Sequence, residues 1–140
     1  MNNAAKGGFG LNGRTPQRTG SRGRKAAGQA AEDAAFAYLQ TLGYTPVVRN
    51  WRCRSGEIDL IMRDGEALVF AEVRSRTSPS RYGTAIEAIT PRKCRQVRET
   101  AAVYLRMHGA EHGPVRFDVV AVTFHTDGSV NELRHIPAAF

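Results

Sequence analysis

Two acidic residues stand in an unusual setting in the stretch SGEIDLIMRDGEALVFAEVRSR, residues 55–76: Asp59 and Glu72 interrupt runs that otherwise read as apolar strands. A buried carboxylate is costly unless a cation or a set of donors meets it, so the groups that face these two define their chemistry. Asp64-Gly65 between the runs reads as a two-residue hairpin turn with both central positions at positive φ. Such a turn sets Arg63 opposite Glu66, Ile61 opposite Leu68, Asp59 opposite Phe70 and Glu57 opposite Glu72. One face of the hairpin then carries Glu57, Asp59, Ile61, Leu68, Phe70, Glu72 and Arg74. The other face, from Ile58, Leu60 and Met62 to Ala67, Val69, Ala71 and Val73, is wholly apolar and belongs in a core. Asp59 and Glu72 become diagonal neighbours, about 7–8 Å apart or somewhat less at Cβ, and their side chains can converge. Two readings of the cluster stay open on the residues alone. A divalent cation such as Mg²⁺, held by carboxylate and carbonyl oxygens, relieves the repulsion among three acids. Alternatively, Arg74 and its arginine neighbours neutralise them as an ordinary surface ion-pair patch.

The elements that must position these residues follow from periodicity. Residues 26–42 place Ala31, Ala35, Tyr38, Leu39 and Leu42 at helical spacing before Gly43, which stops the helix. On that helix Glu32 falls at the border of the apolar face, while Asp33 points to water. TPVVRNW (45–51) reads as a short strand ahead of the hairpin. Thr90-Pro91 opens a second helix with a capping hydroxyl and a proline at the first helical position. Its apolar stripe is Cys94, Val97, Ala101 and Leu105, flanked by Arg92, Arg95, Arg98 and Arg106. RFDVVAVTF (116–124) is a strand, and Asp127-Gly128 turns into a short one near 130–136. The predicted order is αβββαβ with one further strand, an α/β fold.

The bulk composition bounds the rest. With 140 residues the chain fits one domain. Its first 25 residues hold six basic and no acidic side chains, with frequent Gly, Asn, Thr and Pro, and are expected to form a disordered tail ahead of a folded domain spanning 26–140. Beyond the tail, 14 Lys and Arg face 13 Asp and Glu, so +6 of the formal charge of +7 belongs to the tail. A flexible basic arm favours polyanions such as nucleic acid, and it reads equally as a plain solubility tail. No apolar run reaches the roughly 18 residues of a membrane span and no signal-peptide pattern follows the N-terminal charges, which points to the cytoplasm. Cys53 and Cys94 form no CxxC pair and read as small residues in or near the core. The string His108-Gly-Ala-Glu111-His112 spells a zinc-helix motif, but Gly109 and Gly113-Pro114 end the helix it would need.

The runs GEIDLI and FAEVRSR, with GQAAEDAAFAYL, NWRCRSG, TPRKCRQVRETAAVYL and RFDVVAV, closely resemble the YraN-like family of uncharacterised bacterial proteins. That family is assigned to the PD-(D/E)XK, restriction-endonuclease-like superfamily, which includes archaeal Holliday junction resolvases. The resemblance spans about residues 28–124. It implies an αβββαβ core with a mixed sheet flanked by helices. It also implies a metal site in which Asp59 and Glu72 hold Mg²⁺ or Mn²⁺ with the Val73 carbonyl as a third oxygen, and in which Glu32 is the helix glutamate. The activity implied is metal-dependent hydrolysis of phosphodiester bonds in structured or branched nucleic acid, DNA before RNA. Arg52, Arg54, Arg76, Arg92, Lys93 and Arg95 are then candidates for holding backbone phosphates. The chain departs from the pattern at Arg74, where the superfamily's triplet ends in lysine. Arginine stays charged and cannot serve as a base, so a catalytically weak or inactive nucleic-acid-binding module is the alternative. Lys93 or Arg76 could supply the electrostatic role. A homodimer is left open.

Overall fold

A computed structural model describes residues 16–77, 89–109 and 113–140, with side chains described from Lys25 onward. The elements run α1 (Pro16–Thr41), β1 (Thr45–Cys53), β2 (Gly56–Asp64), β3 (Ala67–Thr77), α2 (Pro91–His108), β4 (Val115–Phe124) and β5 (Val130–Ile136). This is the predicted α/β order with its additional strand. The backbone of residues 16–25, assigned from sequence to the basic tail, already belongs to α1, and residues 1–15 lie outside the described residues. The stops and caps act as their residue types dictate. Gly43 takes φ +92° just past α1, and the Thr90 hydroxyl accepts from Lys93 N at 3.1 Å to cap α2. Helix α2 ends at His108 before Gly109, and residues 110–112 of the zinc-helix spelling lie outside the described residues.

The five strands form one sheet in the order β1-β2-β3-β4-β5. Only β3 and β4 pair in parallel. That pair needs a long crossover, and α2 lies within it. The β2–β3 register differs from the expected one by two residues: Asp64 pairs with Ala67 and Ile61 with Phe70. The turn is therefore Gly65-Glu66, with positive φ at Gly65 alone (+61°), the sign pattern of a II′ turn. A slip of two keeps every side chain on its face. It does change partners, because the register continued by one residue sets Asp59 directly opposite Glu72.

Both faces of the sheet are covered, where the hairpin face that carries Asp59, Glu72 and Arg74 was expected to be only half-buried. Helix α1 brings Ala31, Ala35 and Leu39 onto Leu60, Met62, Val69, Ala71, Val120 and Val122. On the opposite face, α2 brings Ala101 and Tyr104 onto Ile58, Ile61, Leu68 and Phe70. The two clusters expose a break in strand alternation. Ile58 and Ile61 share the α2 face although three positions apart, and so do Val48 and Trp51 on β1. Leu60 and Arg49 lie on the α1 face between them, Arg49 with its guanidinium 4.8 Å from the centre of the Phe36 ring. Paired strands that keep strict period two cannot do this. The flip falls at Asn50, whose φ is +54°, and at Asp59 across from it in the β1–β2 register. Asparagine tolerates the left-handed region better than most side-chain-bearing residues.

A second buried carboxylate, Asp118 on β4, is fully satisfied. Its Oδ1 accepts from Arg116 Nε at 2.8 Å and Ala138 N at 3.0 Å, and its Oδ2 from Arg116 Nη2 at 3.0 Å and His135 Nε2 at 2.8 Å. Arg116 also reaches Asp64 at 2.8 Å and the Tyr44 hydroxyl at 2.5 Å. Burial works to raise the Asp118 pKa, but the donors from His135, Arg116 and Ala138 outweigh it and hold the carboxyl down at about 2. One group thus ties β4 to β5, the chain end, the far end of β2 and the α1–β1 connection. Removing one partner of such a buried pair leaves an uncompensated charge, so Asp118→Ala is expected to cost about 3–5 kcal/mol in urea denaturation at neutral pH. A loss under about 1 kcal/mol would show that the network is peripheral to stability.

Candidate functional site

Asp59 and Glu72 meet at the place where the sheet loses its regular ladder. The β2–β3 pairing ends at Leu60 and Ala71, and beyond it the Asp59 side chain takes over: Val73 N donates to Asp59 Oδ2 at 2.8 Å. Glu72 is 3% exposed. Its Oε2 lies 3.4 Å from both Arg74 Nη1 and Lys93 Nζ, while its Oε1 is buried with no hydrogen-bond partner. Lys93 comes from the first turn of α2, so the site joins the central hairpin to the crossover helix.

The electrostatics follow from this placement. Burial first, and the charge of Glu72 next, push the Asp59 carboxyl up to about 7 against the opposing Val73 N–H. Burial also raises Glu72, and the charges of Lys93 and Arg74 partly offset it. Among the described residues Glu72 faces two cations and Asp59 none, so the proton that the pair retains near neutrality resides on Asp59. Glu32 joins from α1: burial and then the charge of Asp59 raise its pKa, a hydrogen bond with Asn50 lowers it, and Arg49 Nη2 stands 4.0 Å away. The strand flip accounts for this reach, because Asp59 at the flip is sensed from α1 on one face and from Glu72 on the other.

The other sequence candidates divide into two groups. Arg92, Lys93 and Arg95 line, with Arg74, Ser55, Thr90, Gln96 and Glu99, a cleft of about 600 Å³ beside Glu72. Arg52, Arg54 and Arg76 do not line it. Arg52 pairs instead with its cross-strand neighbour Glu57 at 3.1 Å, and Glu57 is not opposite Glu72 because the β2–β3 register is slipped by two. Cys53 and Cys94 are half-buried free thiols. Among the described residues, no three His, Cys, Asp or Glu side chains converge as a complete metal cage, and no helix is long and apolar enough to cross a membrane.

Asn50 is the site residue that sequence reasoning missed. It lies between Arg49 and Trp51, opposite Asp59 in the β1–β2 register, and it contacts Glu32 from a left-handed backbone. Non-glycine residues held there cluster at functional sites. Its signal in the sequence was weak, an asparagine inside a predicted strand.

The uncharacterised protein family UPF0102 matches residues 31–122. The chain belongs to this family. UPF0102 proteins of Frankia casuarinae (44% identical, covering 85% of this chain and 99% of the relative) and Pelotomaculum thermopropionicum (45%, covering 84% and 97%) are similar along nearly their whole length. One from Anaeromyxobacter dehalogenans is 48% identical over 84% of this chain and 86% of the relative. The UPF0102 match spans α1 from Ala31 through most of β4, and so includes Glu32, Asn50, Asp59, Glu72, Arg74 and Lys93.

The raised Asp59 pKa has a definite sign in stability. The folded value, about 7, exceeds the roughly 3.9 of an unfolded aspartate. Its contribution is therefore complete below pH about 4 and is lost as pH rises through 7. Asp59→Asn keeps an acceptor for Val73 N and carries no charge. In chelator at pH 8 it should be more stable than wild type, by up to ~4 kcal/mol for a shift of about three units, and the gap should close near pH 4–5. A pH series of thermal unfolding checks this. A variant less stable than wild type at pH 8 would contradict the placement of the proton.

Proposed function

We propose that this UPF0102 protein is a divalent-cation-dependent phosphodiester hydrolase acting on structured or branched nucleic acid. The observation that carries the reading is the buried, unpartnered Oε1 of Glu72 beside Asp59, next to a basic cleft. At rest the proton on Asp59 is shared with Glu72; once it leaves, two adjacent carboxylates and an oxygen without an N–H donor remain, and a cation would meet them. The donor set suits Mg²⁺ or Mn²⁺: hard oxygens, and two carboxylates where a zinc site would offer imidazole or thiolate. Mg²⁺ commonly uses one or two carboxylates and takes waters and substrate phosphate for the rest, which fits a site short of a complete protein cage. In a strand the N–H and C=O of one residue point to the same side, so the Val73 carbonyl is directed with its N–H toward β2. That supports Val73 as the third oxygen, with Glu32 and Asn50 at the α1 edge.

Bound there, a divalent cation would supply a water of lowered pKa and charge stabilisation on the phosphate. The chain's own residues would do the remaining work. Arg74 and Lys93 face the reacting centre as cations, and Arg92 and Arg95 hold the backbone on either side without choosing sequence. Arg74 cannot take a proton from water, whereas Lys93, a compact ammonium, can sit close to a phosphate oxygen. The presence of Arg74 at the triplet position also favours the second reading, a module of this fold that binds nucleic acid without cutting it.

Cleavage of labelled branched DNA, single-stranded DNA and structured RNA, with Mg²⁺ and with EDTA, tests the proposal on wild type, Asp59→Ala and Arg74→Lys. The expected result is slow cutting by wild type, none in EDTA or by Asp59→Ala, and a rate for Arg74→Lys at least equal to wild type. A tenfold gain would correspond to ~1.4 kcal/mol of better transition-state stabilisation. Binding by wild type without cleavage by any variant would replace the hydrolase with the binding module.

A further inference from the structure

The cleft beside Glu72 has more positive charge than its surroundings use. Helix α2 begins with Arg92, Lys93 and Arg95 and has no acidic residue in its first turn, although cations there oppose the helix dipole. Arg92 and Arg95 make no ion pair among the described residues. Arg74 Nε is buried with no hydrogen-bond partner. Among the described residues, Glu99 is the one acid on the lining. The two inner cations, Arg74 and Lys93, stand at 3.4 Å from the same Glu72 oxygen. That is loose for charge-assisted contacts, which close to about 2.7–2.9 Å, and the Arg116–Asp118 pair of the same protein does so at 2.8 Å. Both side chains keep about a third of their surface exposed, 32% and 31%. Glu72 thus holds two cations weakly, at the wall of a cleft large enough for a phosphate group and its sugar.

We propose that this cleft is a phosphate site whose inner cations are committed to Glu72 at rest and are released to the ligand when a divalent cation takes their place on Glu72. Cation and nucleic-acid backbone then bind cooperatively. The inference rests on the reading of Asp59 and Glu72 as cation ligands and adds the linkage between the two ligands. In the resting protein, the Glu72 carboxylate competes with a phosphate for Arg74 and Lys93. With its charge met by a divalent ion, both are free to pair with phosphate oxygens, Arg74 as a fork and Lys93 as a point charge. Reciprocity follows: the oligonucleotide must raise the affinity for the cation by the same factor.

Fluorescence anisotropy of a labelled oligothymidylate, measured across a salt series in EDTA and in Ca²⁺, reads the linkage without any cleavage. Ordinary screening by Ca²⁺ weakens such binding. The proposal instead expects binding about tenfold tighter at moderate salt, with the slope of log K against log salt steeper by roughly 1.4, the value for two further single-strand phosphate contacts. Lys93→Met should lose about half of that increment. Glu72→Gln, which frees both cations permanently, should bind tightly in EDTA and gain nothing from Ca²⁺. Equal or weaker binding in Ca²⁺ for wild type, with an unchanged slope, would overturn the linkage, and that comparison needs no variant to fold. The outcome is separable from the hydrolase reading: linked binding without cleavage removes only the enzyme, and cleavage with unlinked binding removes only the linkage.

Discussion

Two carboxyl groups placed against each other in a largely dry pocket are the constraint on which the rest of the structure turns. Asp59 and Glu72 cannot both be charged there without compensation, and burial raises both. The protein meets the problem with loose cations on one side, a backbone N–H on the other and a retained proton. Apart from that proton, Glu72 Oε1 is left with no donor. Asp118, on the same sheet, shows what complete neutralisation looks like: four donors close around it at 2.8–3.0 Å and its pKa falls. The contrast distinguishes a carboxylate that holds the fold together from a pair whose charge is incompletely met.

The sheet's architecture creates that opening. Alternation flips on β1 at Asn50 and on β2 at Asp59, so the β2–β3 ladder ends and a side chain receives the Val73 N–H where a strand carbonyl would be expected. At the flip Asp59 is exposed to influences from both faces, Glu32 on α1 and Glu72 beneath α2. The parallel β3–β4 pair requires the crossover that carries α2, and the start of α2 brings Lys93 to Glu72. Gly56, with φ +148°, lets the β1–β2 turn press against α2, where an added Cβ would come within 2.8 Å of Gln96 Nε2. Local backbone exceptions and long-range packing thus converge on one cleft.

Much of this was legible in the sequence because period and punctuation are local signals. The element order, the Thr90 cap, the Gly43 stop and the shared face of Asp59 and Glu72 all follow from spacing. The hairpin register differs by two residues because Asp64-Gly65 suits a turn as well as Gly65-Glu66 does; parity protected the face assignment from Leu60 onward, while the flip at Asp59 moved Ile58 from its expected place beside Leu60 to the α2 face. Burial on both faces was hidden because Asp59, Glu72 and Arg74 made one face look wet. The flip at Asn50 and the closure of Asp118 by residues from distant elements depend on tertiary contacts, which no period encodes. The basic side chains divided for a similar reason: Arg92, Lys93 and Arg95 share one helix turn, whereas Arg52 was already paired with its cross-strand neighbour Glu57.

The central claim is that Asp59 and Glu72 form a site for a divalent cation. Calorimetric titration of the full chain with Mn²⁺, in wild type, Asp59→Asn and Glu72→Gln, tests it most directly. One ion per chain in wild type, with binding lost in both variants while each retains the wild-type circular dichroism, is the predicted result. Absence of binding in wild type, or affinity unchanged in folded Asp59→Asn, would contradict the account.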